Sequence, residues 1–289
     1  MKKIIAAAVA AAVIAPMSAI AAGPTLYGKI HMSVNYLDND ADYDTWSLNS
    51  NASRIGVKGS EDLGNGMKVG YLIEWSVGMD GSRNAAAAGN AKDLNLRNRA
   101  VTVSGGWGTV LAGQWDTPLK VLGRKVDMFG ERLGDNRNLN TALIDLRTPN
   151  TVAYVTPNMA GFSVTAAYVF DATTTGQTST ADDTTYSAWS ANVLYDNGPF
   201  LIGLAYEDIS SDVFGTDGTG TSTTKKNQKT WRIAGSWLIA GSFKILGSYT
   251  GTENAMGVKD NDPSVATLGA SWKFGNNTLK GQYGWRSSE

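Results

Sequence analysis

WRIAGSWLIAGSFKILGSY, residues 231–249, alternates almost without interruption. Trp231, Ile233, Gly235 and Trp237 fall on one side of an extended chain, and Arg232 falls on the other. After a turn at Ala240-Gly241-Ser242, Phe243, Ile245, Gly247 and Tyr249 resume the apolar side while Lys244 keeps the wet one. A period of two with opposite chemistry on the two faces predicts an antiparallel hairpin with one apolar and one hydrated surface.

The same dyad extends outward in both directions. Toward the N-terminus, Leu26, Gly28, Ile30, Met32, Val34 and Tyr36 oppose Lys29, His31, Ser33 and Asn35, predicting one strand over Thr25–Tyr36. A strand over residues 53–58 and a turn at 63–66 lead to Met67, Val69, Tyr71, Ile73 and Trp75, opposed by Lys68 and Glu74. Residues 94–104 and 107–114 form a hairpin across Gly105-Gly106, although Arg97 and Arg99 share phase with Val101 and Val103, so parity gives no clean face there. Further strands follow over 148–156 and 162–170. Strands 186–195 and 200–207 pair around Asp196-Asn197-Gly198-Pro199, and 266–274 and 279–285 around Gly275-Asn276-Asn277.

Tight Gly/Asn turns alternate with long polar connections along the whole chain, at residues 76–93, 171–183, 208–228 and up to Pro263. Aromatic residues gather toward strand ends, among them Tyr36, Trp75, Phe170, Trp231, Trp237, Tyr249, Phe274 and Trp285. A soluble β-sandwich would alternate too, but needs neither feature. A barrel with one rim facing the periplasm and the other facing outward needs both. The expected class is therefore all-β, a transmembrane antiparallel β-barrel with about thirteen strands present. Bacterial single-chain barrels have an even strand number, and the chain stops at Glu289 just as a strand finishes. A fragment lacking its last strands is expected.

Composition excludes other classes. Residues 1–21 read as a signal peptide, with Lys2 and Lys3 ahead of the apolar run Ile4–Ile14 and Ala19-Ile20-Ala21 as a small-x-small cleavage site. Removing Lys2 and Lys3 takes the formal net charge from −1 to −3, so no basic excess points to nucleic acid. The chain has no cysteine, and an exported protein without disulfides can be held by a hydrogen-bonded barrel. The mean hydropathy of −0.19 would by itself suggest a soluble secreted protein; the alternation argues otherwise.

One stretch refuses the period. Gln114–Arg147, QWDTPLKVLGRKVDMFGERLGDNRNLNTALIDLR, carries charges of both signs over more than thirty residues. A connection of that length in a compact barrel has a task, and the expectation is that it folds inward and narrows a pore.

These residues resemble the Gram-negative general porin family. The opening TLYGK (25–29), SRIGVKG with EDLG (53–59 and 61–64), and RTPNTVAYVTP followed by Gly161-Phe162 (147–157) carry the likeness. It implies a sixteen-stranded barrel, with residues 22–289 supplying all but about three strands. It also implies a homotrimer set among outer-membrane lipid and lipopolysaccharide in a Gram-negative bacterium, passing ions and small hydrophilic solutes. The third external loop, about residues 115–147 here, would be the inward constriction. Within it Asp127, Glu131 and Asp135 match the family's acidic spacing, while Arg54, Arg99 and Arg147 match positions that project arginines across the opening. The loop departs from the family in having FGERLG (129–134) and in its own Lys120, Arg124, Lys125, Arg132 and Arg137, which leaves ion preference open.

Wall residues with lumen phase are mostly basic: Lys29, Arg54, Lys58, Lys68, Arg97, Arg99, Arg232, Lys244, Lys273 and Lys280 against Glu74 and Glu207. Carboxylates on a loop opposite arginines on a wall set up a transverse field that sorts solutes by charge. The rival for the acidic side is local pairing of Asp127 or Asp135 with Arg124 or Arg137. Weak selectivity tilted toward anions is the expectation. A barrel hydrolase would need a base beside a nucleophile, and His31, the one histidine, has no such motif near it. An adhesin has no use for an inserted loop. A sugar-specific channel would need an aromatic row, and Trp115, Phe129 and Tyr154 are scattered. No catalytic residue, cofactor or metal cluster is expected.

Overall fold

The computed structural model describes residues 22–38, 44–80, 94–140, 142–170, 187–214 and 225–287. The expected signal peptide, and most of the polar connections over 76–93, 171–183 and 208–228, lie outside them.

Fifteen antiparallel strands occur among the described residues. They are β1 (Ala22–Lys29), β2 (Met32–Asp38), β3 (Asp44–Ser50), β4 (Arg54–Gly64), β5 (Met67–Val77), β6 (Leu94–Gly105), β7 (Gly108–Asp116) and β8 (Arg147–Val155). After them come β9 (Phe162–Val169), β10 (Ala188–Asn197), β11 (Phe200–Ile209), β12 (Gln228–Ile239), β13 (Phe243–Glu253), β14 (Ser264–Phe274) and β15 (Asn277–Ser287). Thirteen form one sheet in the order β1-β4-β5 and then sequentially to β15, and β2 pairs with β3 alone. Each neighbour after β4 is the next strand in the chain, as in an up-and-down barrel. Among the described residues β1 and β15 are the two free edges of the sheet, which is not closed.

The single first strand expected over 25–36 is divided. Register passes from Lys29↔Arg54 to Met32↔Ser50, so two residues on one side face three on the other. Ala52, at φ 51°, sits in the mismatch, a left-handed conformation that a regular ladder does not accommodate. Asn51 N–H still donates to His31 O across it at 2.7 Å. Strand β3 was not anticipated because DTWSLNS carries polar residues in both phases.

Among the described residues the tight turns of the large sheet, at 65–66, 106–107, 198–199, 240–242 and 275–276, lie at one end, and the long connections between its strands lie at the other. The first of these turns uses left-handed backbone that glycine tolerates best: Gly64 and Gly66 take φ of 80° and 75°. The outer face is apolar, with Trp231, Ile233, Leu268 and Trp272 all exposed. An apolar surface this continuous does not belong in water. Its aromatic pairs form two belts. Phe162–Tyr195 (4.6 Å) and Phe200–Trp237 (5.7 Å) lie near the turns, and Trp189–Tyr206 (5.1 Å) and Trp231–Tyr249 (5.2 Å) near the long loops, as two membrane interfaces require.

The segment between β7 and β8 lies on the concave face and shows how far the sheet curls. Helix α1 (Pro118–Lys125) packs on β10, β11 and β12, Glu131 reaches Lys29 and Arg54, and Gln282 on β15 bonds Met128 N and Gly134 O. Thirteen strands laid flat, about 4.8 Å apart, would span on the order of 58 Å. One loop can touch β1, β4, β11 and β15 together only if the sheet rolls around it.

Leu119, Leu122, Val126 and Met128 of this segment are buried against Ala205, Ala234 and Leu246 of the wall. Small wall residues make the fit possible, and a Cβ on Gly203 would meet Leu122 Cδ1 at 2.5 Å. Each buried leucine contributes about 1.5–3 kcal/mol of burial, so the core of this protein lies between loop and wall.

Candidate pore constriction

The loop begins with a helix that the alternation gave no sign of. Thr117 caps it by accepting from Lys120 N (3.5 Å), and Pro118 occupies the first turn. A Thr-Pro entry is a recognisable helix start. Its apolar face docks on the wall, so its Arg124 turns toward the lumen.

Two clusters of opposite charge then form. In the first, Asp116 at the end of β7 lies 3.0 Å from Lys120 Nζ, 2.8 Å from Arg124 Nη1 and 3.0 Å from Arg147 Nε. Arg147 also donates to Asn98 Oδ1. In the second, Glu131 reaches across the concave space. Its Oε1 accepts from Arg54 Nη1 (2.6 Å) and Arg124 Nη2 (3.1 Å), and its Oε2 from Lys29 Nζ (2.8 Å). Arg97 Nη2 stands 4.0 Å from Oε1 and His31 Nδ1 4.0 Å from Oε2. Glu74 completes the wall side, accepting from Arg97 Nε (2.6 Å) and Tyr27 Oη (3.1 Å), with Arg54 Nε at 3.5 Å.

Of the three expected loop carboxylates, only Glu131 faces the wall. Asp135 turns inward and accepts from Glu131 N (2.7 Å) and from Arg137 Nη2 (2.5 Å). Asp127 accepts from Phe129 N (3.0 Å) and Asn136 N (3.3 Å). These two acids hold the shape of the loop that presents Glu131, whose own φ is 69°. A non-glycine residue in that region is kept there by its surroundings.

Their protonation follows. Burial, then the neighbouring Asp135, pushes the Asp127 carboxyl up to about 6. Burial acts the same way on Glu131, but hydrogen bonds and charge from Lys29 and Arg54 outweigh it and hold the group at about 2. For Asp135 burial is outweighed by the side-chain and backbone hydrogen bonds of Arg137, again to about 2.

Of the expected arginines, Arg54 and Arg147 join the clusters and Arg99 does not. Register slips between Ile73 and Trp75, so residues 97 and 98 form a bulge on β6. Beyond the bulge Arg99 stands opposite Ile73 and Gln114, in phase with the outer Val101, and donates to Gln114 Oε1 at 3.0 Å. Arg97, before it, takes the inner place. The ambiguous parity of this strand in the sequence was the trace of the bulge. Lys125 pairs instead with Asp196 on β10 at 3.2 Å. Arg132 is exposed and in no ion pair among the described residues. Sequence reasoning passed over Asp116 and Asn98, and named Lys120 as a loop charge without its partner. Asp116 and Lys120 stand at i, i+4 across the start of α1, a spacing visible only once the helix is recognised.

Ser53 Oγ bonds the His31 backbone rather than its ring. Trp115 packs beside Ala100 and Ala153, Phe129 packs on the α1 cluster, and Tyr154 Oη donates to Trp107 O at 2.5 Å, so the three aromatics form no row. No group of three or more metal-ligating side chains occurs among the described residues.

A rolled antiparallel sheet with an apolar exterior, two aromatic belts and a charged loop on its inner face defines an outer-membrane channel barrel. The chain matches the Gram-negative porin family over residues 6–288 and belongs to it. It is 30% identical over 239 residues to outer membrane porin protein 32 of Delftia acidovorans, covering 75% of this chain and 62% of that protein. It is 31% identical over 177 residues to the major outer membrane protein P.IB of Neisseria gonorrhoeae, covering 58% of this chain and 47% of that protein. The chain thus spans less than two thirds of the length of these relatives. Among solved structures, an anion-selective porin from Comamonas acidovorans aligns with TM-score 0.71 and 26% identity over 92% of this chain and 79% of that one. Salmonella typhi OmpF in complex with daunomycin, at TM-score 0.52 and 14% identity over 91% of this chain and 89% of that one, shares the fold. The protein is a porin of the Gram-negative outer membrane, from a family of channels rather than enzymes.

Proposed function

We propose that the protein is a passive, water-filled diffusion channel for ions and small hydrophilic solutes, with a weak preference for anions set at the 115–147 loop. The observation that carries this reading is a charge imbalance. Lys29, Arg54, Arg97, Lys120, Arg124 and Arg147 all lie within 4.0 Å of a carboxylate of Glu74, Asp116 or Glu131. Six fixed cations share three acids, and every acid is engaged. The cations reaching furthest into solvent are Lys29 and Arg124, with side chains 44% and 37% exposed. A passing chloride meets net positive charge at close range, and arginine keeps that charge at any physiological pH. The anion-selective porin named above supports the same direction.

The channel works as a homotrimer among outer-membrane lipid and lipopolysaccharide, and residues 1–21 are removed on export. The test is single-channel recording of the full-length protein in a planar bilayer, followed by a reversal potential in a KCl gradient. Ohmic openings in steps of three with a modest chloride preference are expected. A strong potassium preference would reject the charge reading, and absence of conductance from an assembled barrel would reject the channel.

A further inference from the structure

We infer that Arg232 positions the constriction loop by tying both of its limbs to the barrel wall at one point. The inference rests on the diffusion-channel reading, since it assigns the residue that holds that channel's constriction in place.

Arg232 lies on the inner side of β12 and is 4% exposed. Its Nε donates to Thr250 Oγ1 on β13 at 2.8 Å, which fixes the plane of the guanidinium against the wall. Nη1 donates to Leu119 O at 3.0 Å, on the limb leaving β7. Nη1 and Nη2 donate to Asp145 Oδ1 (2.6 Å) and Oδ2 (3.1 Å), on the limb returning to β8. One rigid fork therefore joins two wall strands and both ends of the loop. Only a guanidinium has donors in that arrangement; an ammonium offers a single point.

The other attachments differ in kind. The Lys125–Asp196 pair is exposed on both sides and open to screening by salt. The contacts of Glu131 hold the tip at the far side of the space, not the base. The apolar cluster of α1 fixes chiefly the outgoing limb and takes in Ile144 of the returning one, whose Leu143 also accepts from Gln228 Nε2 through its backbone oxygen at 2.8 Å, a neutral hydrogen bond. Asp145 holds the returning limb with a φ of 58°, a conformation that needs a partner to sustain it. Without Arg232 the buried Asp145 carboxylate loses its ion-pair partner and is left with the Asn140 amide, and the returning limb loses its ionic tie to β12 while α1 and the Gln228–Leu143 bond stay in place.

The experiment records the full-chain protein in planar bilayers as wild type, Arg232→Met, Arg232→Lys, Asp145→Asn and, as a control, Lys125→Gln. Closures at a given voltage are expected to become several-fold more frequent in Arg232→Met and Asp145→Asn. Arg232→Lys should resemble Arg232→Met, and Lys125→Gln the wild type. A role confined to barrel folding would lower yield while leaving assembled channels gating normally. If Arg232→Met fails to insert, Arg232→Lys and Asp145→Asn carry the result. Closure rates within about twofold of wild type in the conducting Arg232 and Asp145 variants would overturn the assignment. Absence of ohmic openings in the wild type itself would defeat the channel reading instead.

Discussion

Glu131 Oε1 lies 2.6 Å from Arg54 Nη1, and this contact, between residues 77 apart in sequence, closes the loop onto the wall of β1 and β4. It is also where the loop presents one carboxylate, only 10% exposed, to the four basic side chains of Lys29, Arg54, Arg97 and Arg124.

Replacing Glu131 with Gln should therefore raise chloride preference rather than only loosen the loop. One unit charge at about 4 Å in water is worth ~1 kcal/mol, up to about fivefold for each ion in opposite directions, so the anion-to-cation permeability ratio should rise severalfold. A reversal potential unchanged from wild type would count against the cluster as the selectivity site.

Arg97 and Arg99 provide a matched pair. Arg97→Gln should shift the reversal potential toward potassium, because Arg97 is bonded to Glu74 on the inner face. Arg99→Gln should leave it where it is, because Arg99 stands opposite Ile73 on the other face. The opposite outcome would show that the bulge on β6 has been assigned the wrong phase.

Leu122→Ala should weaken the docking of α1. Leu122 is 1% exposed within the loop–wall cluster, and deletion of a buried leucine side chain costs about 2–5 kcal/mol. Unfolding in denaturant should show a lower midpoint together with noisier open channels, whereas an unaffected midpoint would mean that α1 contributes little to the core.

Loop stability should pass through a maximum between about pH 4 and pH 6. Asp127, raised from 3.8 to about 6, favours the fold while neutral; that contribution is complete below its unfolded value and is lost as pH rises through 6. Glu131 and Asp135, lowered from 4.5 and 3.8 to about 2, favour the fold while ionised; theirs is complete above the unfolded values and is lost as pH falls through 2. In Asp127→Asn the decline from pH 5 to pH 8 should disappear. A difference in melting temperature between the two proteins that stays constant over that range would contradict this.

Much of the molecule was legible before any coordinates. The hairpin at 231–249 formed as its alternation required, and the asymmetry of turns and long connections placed the two rims. The division of the first strand was hidden, because a left-handed Ala52 leaves no mark in residue type. Helix α1 was overlooked although Thr117-Pro118 announced it.

The sequence by itself determined the class, because side-chain alternation and loop length are local properties written at every residue. It also marked residues 114–147 as the stretch that leaves the strand period. Only the tertiary structure decided which charges meet. Asp127, Glu131 and Asp135 share one spacing, yet Glu131 alone crosses to Arg54, while the other two bond the loop's own backbone. Arg97 displaced Arg99 through a one-residue slip, and Arg232 found Asp145 across 87 residues. Such pairings depend on how far the sheet rolls and on which face of a helix docks, and no local pattern carries either quantity.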